Sequence, residues 1–297
     1  MFLRSHLMTS GKFLLPTTCM LLAAPVTFAA PPSGTLNYTY FSSADFEDGD
    51  GKVKQQDIRL TVPAGTFGLP QDSLFSMKVN VAERQFKVED TGFMDQTLRV
   101  YDISMPLLFR QQLASGDSFS FGANPSIRSS LDDIQSEDFT FSTFGQYTWD
   151  AGNHNYSLGL MYGRLLGADR LIPIGGYSYK GVSNLEVTLG FPSTGVRYFP
   201  EKTYSYFAGL FPYGGSWHVY DDGHSNRDYY LRQTGFRVGA GITFDVGGPF
   251  EMQLEAGRQV GQRLEIDDSH GFDTDIEHKY DIDDSSYVGV SFNLKAL

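Results

Sequence analysis

Hydrophobic and polar residues alternate with a period of two along most of the chain. Phe75, Met77, Val79 and Val81 alternate with Ser76, Lys78 and Asn80, and Tyr101, Ile103, Met105, Leu107 and Phe109 repeat the pattern. It returns at Tyr156, Leu158, Leu160 and Tyr162, at Phe236, Val238, Ala240, Ile242 and Phe244, and at Phe250, Met252, Leu254 and Ala256. Val288, Val290, Phe292 and Leu294 close the chain. No stretch keeps apolar residues at three- and four-residue spacing for three turns, as an amphipathic helix would. The pattern therefore predicts strands with one apolar face each. The segments run about 9–13 residues, the length a tilted strand needs to cross a bilayer, against about 5–6 for soluble strands.

The connections alternate as well. Short turns fall at 65–73, 113–118, 151–155, 181–184, 200–202 and 246–249. Longer, acid-rich connections fall at 44–52, 90–96, 131–138, 167–171, 191–195, 221–228 and 267–284. Six turns and seven loops predict fourteen strands with both termini on one side, the even count that bacterial barrels have. The segment Val196–Phe199 is short; without it the count is twelve. Aromatic residues, among them Tyr147, Trp149, Tyr204, Tyr206, Trp217, Tyr229, Tyr230 and Tyr287, stand near segment ends, as in interfacial girdles. The fold class expected is all-β: a closed antiparallel transmembrane β-barrel of about 12–14 strands. A soluble sandwich or lipocalin-like barrel also alternates, but it does not pair tight turns with acidic loops throughout.

The first residues fix the compartment. Arg4 and Lys12 precede an apolar stretch from Phe13 to Val26 that ends in Thr27-Phe28-Ala29-Ala30. This is the form of a secretory signal peptide, with cleavage expected after Ala29 and a mature barrel of residues 30–297. Export to the bacterial outer membrane follows. Cys19, the single cysteine, falls inside this segment, so the mature chain is expected to hold no thiol, disulfide or cysteine-bound metal. Removing Arg4 and Lys12 while keeping all 35 acids moves the net charge from −12 to −14. That charge argues against nucleic acid as a partner.

Two resemblances come from particular residues. Gly289-Val-Ser-Phe292-Asn-Leu294 resembles the last-strand signal read by the outer-membrane assembly machinery. It departs in having Val288 at a usually polar position and three further residues after Leu294. Ile172-Pro-Ile174, Leu189-Gly-Phe-Pro192 followed by Val196-Arg-Tyr-Phe199, and Gly214-Gly-Ser-Trp217 resemble a widespread bacterial outer-membrane β-barrel family of unknown function, over about residues 97–266. That resemblance implies a barrel and its location, and it supplies no catalytic residues.

Inward-facing charges are the first candidates for solute contact. On the predicted strands they are Lys78, Asp102, Arg110, Arg128, Glu186, Arg237, Glu251 and Glu255. If Phe244 faces Phe250 across the 246–249 turn, Gly239 faces Glu255 and Arg237 lies diagonal to that acid, within reach. Such charges either form a constriction that filters solutes or satisfy one another in a filled interior. A second set lies in the loops. Asp45, Glu47, Asp48 and Asp50 cluster in one, and Asp267, Asp268, Asp273 and Asp275 begin a run in another that continues to Asp284 beside His270 and His278. Hard oxygen ligands suit Ca²⁺ or Mg²⁺, which would bridge the loops to anionic lipopolysaccharide. The plainer reading is a solvated, charged surface.

Ser216 and His218 share one side of a strand, but no acid lies nearby in sequence to orient the histidine. A Ser-His-acid cluster at the outer rim would be the mark of an enzyme. The function expected is a small diffusion or transport barrel for small solutes, without cofactor. The alternative is a structural or surface-interaction barrel working through its acidic loops, and an outer-membrane enzyme stands third.

Overall fold

The computed structural model describes residues 34–47, 51–89, 97–163, 169–221, 227–267 and 278–294. The expected signal peptide therefore lies outside the described residues. The strands are β1 (Gly34–Asp45), β2 (Lys52–Leu69), β3 (Ser73–Glu89), β4 (Thr97–Ser104), β5 (Leu107–Gln112), β6 (Ser118–Ser129), β7 (Phe139–Ala151) and β8 (His154–Gly163). They continue as β9 (Arg170–Val182), β10 (Leu185–Phe191), β11 (Thr194–Tyr198), β12 (Tyr204–Asp221), β13 (Arg227–Gly247), β14 (Phe250–Asp267), β15 (His278–Ile282) and β16 (Ser285–Leu294). Among the described residues the one helical element is a single 3-10 turn, Ser136–Asp138.

The sheet closes on itself. Each strand pairs antiparallel with its neighbours, and β1 pairs β16 from Gly34↔Leu294 to Phe41↔Tyr287. β4 and β5 occupy one wall position between β3 and β6, interrupted at Pro106, and β15 and β16 share another beside β14. The sixteen segments thus form fourteen wall strands. Closure leaves no free sheet edge along the ring, and lipid could not satisfy one. β11 is only five residues long, but it pairs on both sides and counts in full.

Several strands are longer than the pattern predicted. β3 has 17 residues and β2, β12 and β14 have 18 each. Seventeen residues at about 3.3 Å each, tilted near 40°, rise roughly 40 Å, against an apolar band of about 25 Å. The excess stands above the bilayer, and the side-chain pattern inverts there. On β3 the outward residues Phe75, Met77, Val79 and Val81 give way to Glu83, Gln85, Lys87 and Glu89. The inward residues Ser76, Lys78 and Asn80 give way to Phe86 and Val88, both buried. On β2 outward Val62, Leu60 and Ile58 yield to Gln56 and Lys54, and inward Thr61 and Arg59 yield to Val53.

The barrel therefore has two storeys. The lower one is apolar outside, where Leu36, Leu60, Val81, Phe121, Leu158 and Leu254 are exposed, and polar inside, where Asn37, Thr39, Ser120, Gln146, Thr243 and Ser291 are enclosed. The upper one is polar outside and has its own apolar core, including Phe46, Phe86, Val100, Trp217, Leu231, Leu264 and Ile266. Each storey shows its apolar face to the environment that lacks water: lipid below, a filled interior above.

Candidate functional site

A layer of buried charge separates the storeys. Asp57 and Arg84 face each other across the β2–β3 ladder. Arg84 Nε and Nη2 donate to the Asp57 carboxylate at 3.1 and 3.0 Å, and Gln55 donates to the same group at 2.8 Å. The Tyr213 hydroxyl donates to Asp57 as well. Arg84 Nη1 donates to Gln233, which donates in turn to Gln55, at 2.8 and 2.7 Å. The Arg84 guanidinium lies 4.4 Å from the Tyr213 ring centre and 4.8 Å from that of Trp217. Beside it Arg237 pairs with Glu255 at 3.1 Å, and Tyr287 donates to the same acid. Tyr213 neighbours both guanidinium groups, at 4.4 and 5.4 Å. Arg84 is hydrogen-bonded through Nε, Nη1 and Nη2, whereas Arg237 bonds Glu255 through Nη2 and lies 3.9 Å from the Tyr287 ring centre, with Nε and Nη1 buried and without hydrogen-bond partners. With the apolar core above it, this layer seals the sector of the lumen walled by the long strands.

The predicted inward residues are dispersed around the wall. Asp102 and Arg128 face each other across β4–β6 and pair at 3.0 Å. Glu186 lies opposite Arg197 in the ladder and 3.9 Å from Lys180. Arg110 contacts Gln112 at 3.4 Å near a lower turn. Glu251 lies opposite Asp245 at the lower mouth, and Lys78 shares the inward face of β3 with Ser76 and Asn80. Arg237 and Glu255 do meet, although the predicted register is corrected. Gly247, not Phe244, pairs Phe250, so Glu255 faces Gly241 and Arg237 faces Gln259. Gly239 and Gly257 lie between the partners, and the space left by their missing side chains is taken by the Tyr287 ring and the Glu255 carboxylate.

The short strands enclose a different sector. Strands β7–β11 end at the top of the apolar band, where Phe139, Tyr162 and Leu171 are exposed. The taller strands close around them. β12 meets β6 across the interior in a parallel bridge, His218↔Ser129, with Ser130 N donating to His218 O at 3.0 Å. The upper half of β12 is accordingly buried on both faces: Tyr213, Trp217 and Val219 on one, Pro212, Ser216 and His218 on the other. The upper storey is thus a narrower barrel of β12–β15, β1–β4 and β6, set off-centre over the wider one. The remainder is a bay behind β7–β11, whose inward wall includes half-buried Phe144, Ser157 and Met161, with Ile174 buried beside them.

Segment 130–138 lies at the top of this bay. His218 Nδ1 and Asp138 Oδ1 are 2.7 Å apart, at 3% and 0% exposure. Asp138 Oδ2 accepts from Gln135 N at 3.1 Å, and Ser130 Oγ accepts from Tyr220 N at 3.3 Å. The His218 ring stacks on Tyr230 at 5.1 Å. The chain reverses at Leu131, whose φ of 65° is costly for a residue with a Cβ. The acid missing near Ser216 and His218 in sequence is thus supplied by Asp138. Among the described residues, however, no hydrogen bond joins the Ser216 hydroxyl to His218, and both His218 and Asp138 are shut away from solvent. The geometry clamps two segments together.

The acidic loops are partly in view. Asp48, Asp50, Asp268, Asp273 and Asp275 lie outside the described residues, as does the Asp267 side chain. Asp45 is 3.9 Å from Lys52, and Asp281 and Asp284 pair with Arg263 and Arg258. The two acidic regions adjoin, because Phe46 bridges Ile282 and Glu47 N donates to Asp281 O at 2.9 Å. Among the described residues no three acids, histidines or cysteines gather as a metal site.

No known family model matches the sequence, and no curated protein matches it significantly. Solved structures similar to the chain include an outer membrane channel from Pseudomonas putida F1 (TM-score 0.46, 10% identity, 92% of this chain and 99% of that one). A deletion mutant of the TodX monoaromatic hydrocarbon channel matches at TM-score 0.43 and 10% identity, over 90% of this chain and 91% of that one. A mutant porin from Rh. blastica matches at 0.29 and 10%, over 89% of this chain and all of that one. At these scores the likeness is one of general barrel form and carries no functional weight.

Proposed function

We propose that this protein is a non-catalytic channel of the bacterial outer membrane that passes small solutes. The observation that carries the reading is the lower storey: a closed ring of fourteen strands, apolar toward lipid, around an interior lined by Ser, Thr, Asn and Gln. A barrel serving only as an anchor gains nothing from a polar-lined interior. The reading is tested by refolding the mature chain into liposomes and following swelling in small uncharged sugars, with single-channel conductance in parallel. Swelling above protein-free liposomes is expected, and its absence in correctly folded protein overturns the reading.

A second reading has one observation in its favour. The apolar core of the upper storey fills the interior over the long strands, as in a surface-interaction barrel. On either reading the acidic loops face lipopolysaccharide, with divalent cations as bridges between carboxylate and phosphate. The last strand, β16, is the segment offered to the assembly machinery.

A further inference from the structure

We propose that segment 130–138 is a lid, latched to β12 by Asp138 and His218, and that solutes pass through the bay behind β7–β11 when it lifts. The inference rests on the channel reading and adds its route and its gate. Two observations select the route. The long-strand sector is closed twice over, by the Asp57–Arg84 and Arg237–Glu255 layer and by the apolar core above it. Opening it means exposing Phe86, Leu231 and Leu264 to water, each at a cost of about 1.5–3 kcal/mol. The bay carries no such core among the described residues, and its walls stop at the membrane surface.

Two further observations select the gate. The contacts that hold 130–138 in place include three polar ones: Ser130 N to His218 O, Tyr220 N to Ser130 Oγ, and Asp138 to His218. The segment's tip is otherwise in water, with Asp132, Asp133, Ile134 and Ser136 all exposed. Lifting it breaks hydrogen bonds and uncovers the His218–Tyr230 stack, but it does not open the apolar core of the upper storey. The left-handed Leu131 adds strain that release would relieve. Asp138 is the keystone. Its two oxygens tie His218 on β12 to the turn at Gln135, so removing it frees both ends of the clamp.

The mature chain should contain no cysteine, which makes the test direct. In planar bilayers Asp138→Ala should raise the fraction of time spent conducting by about tenfold, the order expected for losing one charge-assisted hydrogen bond. The double variant Asp138→Cys with His218→Cys places the thiols at the two ends of the latch. It should stay shut when oxidised and conduct like Asp138→Ala when reduced. Leu264→Ala, in the core of the sealed sector, should leave conductance at the native level. An independent readout is Ser157→Cys, inward on β8. Its labelling by an impermeant maleimide from the loop side should speed up about tenfold when Asp138→Ala is added.

If Leu264→Ala opens the channel and the latch variants do not, the route is wrong and the channel reading stands. If no protein conducts but the Ser157→Cys labelling still accelerates, the lid stands and the channel reading fails. If neither conductance nor labelling responds to Asp138→Ala, the lid is refuted. Native mobility on unheated gels confirms folding of each variant before it is measured.

Discussion

Phe86→Ala tests whether the upper storey is a dry core. Phe86 is 1% exposed and meets Trp217 edge-on at 6.2 Å, within the cluster that holds Val88, Val100 and Leu264. Truncating a buried Phe costs about 3–5 kcal/mol through lost transfer energy and the cavity left behind. The broken aromatic pair accounts for about 0.5–1.5 kcal/mol of that. If the barrel held an open aqueous lumen at this height, the ring would already be wetted and the cost would fall below about 1 kcal/mol. The assay is urea unfolding of the mature chain in lipid vesicles, followed by tryptophan fluorescence. Trp149→Phe in the background leaves Trp217, beside the mutated site, as the one reporter. The midpoint should drop with the slope unchanged, since the two folded forms expose similar surface on unfolding. Thr66→Ala, exposed near the lower end of β2, should shift stability by no more than about 0.5 kcal/mol. A loss below about 1 kcal/mol at Phe86 would refute the two-storey account.

Three further outcomes are expected. Ala240 is outward and exposed on β13 between Val238 and Ile242, so Ala240→Arg should cost about 2–4 kcal/mol near mid-bilayer in the same vesicle assay; an unchanged midpoint would reverse the assignment of faces. Asp57→Asn leaves Arg84 buried without its charge partner and should cost about 3–5 kcal/mol, and recovery of that loss in the Asp57→Asn, Arg84→Met double variant would identify the penalty as the stranded charge. At the lower turn the Asp150 backbone N–H, then the Tyr147 and Ser115 hydroxyls, hold the Asp117 carboxyl below its usual range. A lowered folded pKa gives stability that is present above the unfolded value of about 3.9 and lost as pH falls through the folded one. The stability gap between native and Asp117→Asn protein should therefore close below about pH 4, and a gap that persists at pH 2 would contradict this.

The barrel was legible because three local signals agree. The period of two gives strands, and tight turns at Ala151–His154 and Gly247–Phe250 give antiparallel neighbours. The parity of turns and loops gives the even count. Partners are harder to read, because each depends on register over many residues. Asp57 meets Arg84 only because a bulge at Pro63–Gly65 shifts the β2–β3 ladder by one. Counting back from the Leu69↔Ser73 pair without it would set Asp57 against Gln85, on the other face. Asp138 lies 80 residues from His218 and reaches it through a loop crossing the barrel, which no alternation rule describes.

The inversion between storeys hides for a different reason. Alternation tells which residues share a face, but not which face meets water. On β3 the apolar residues occupy odd positions at Phe75 to Val81 and even positions at Phe86 and Val88. In a sequence, such a switch of parity reads as a bulge or as the end of one strand and the start of another. The ladder excludes both, because Leu60↔Val81, Arg59↔Ala82, Ile58↔Glu83 and Asp57↔Arg84 follow without a break. The backbone runs straight and the surroundings change: lipid outside and a polar interior below Ala82, water outside and a packed apolar core inside above Arg84. A parity switch with no Gly, Pro or bulge to explain it is thus itself a signal. It marks the height at which a barrel strand leaves the membrane, and the charged layer at Asp57, Arg84, Arg237 and Glu255 sits where the two interiors must be kept apart.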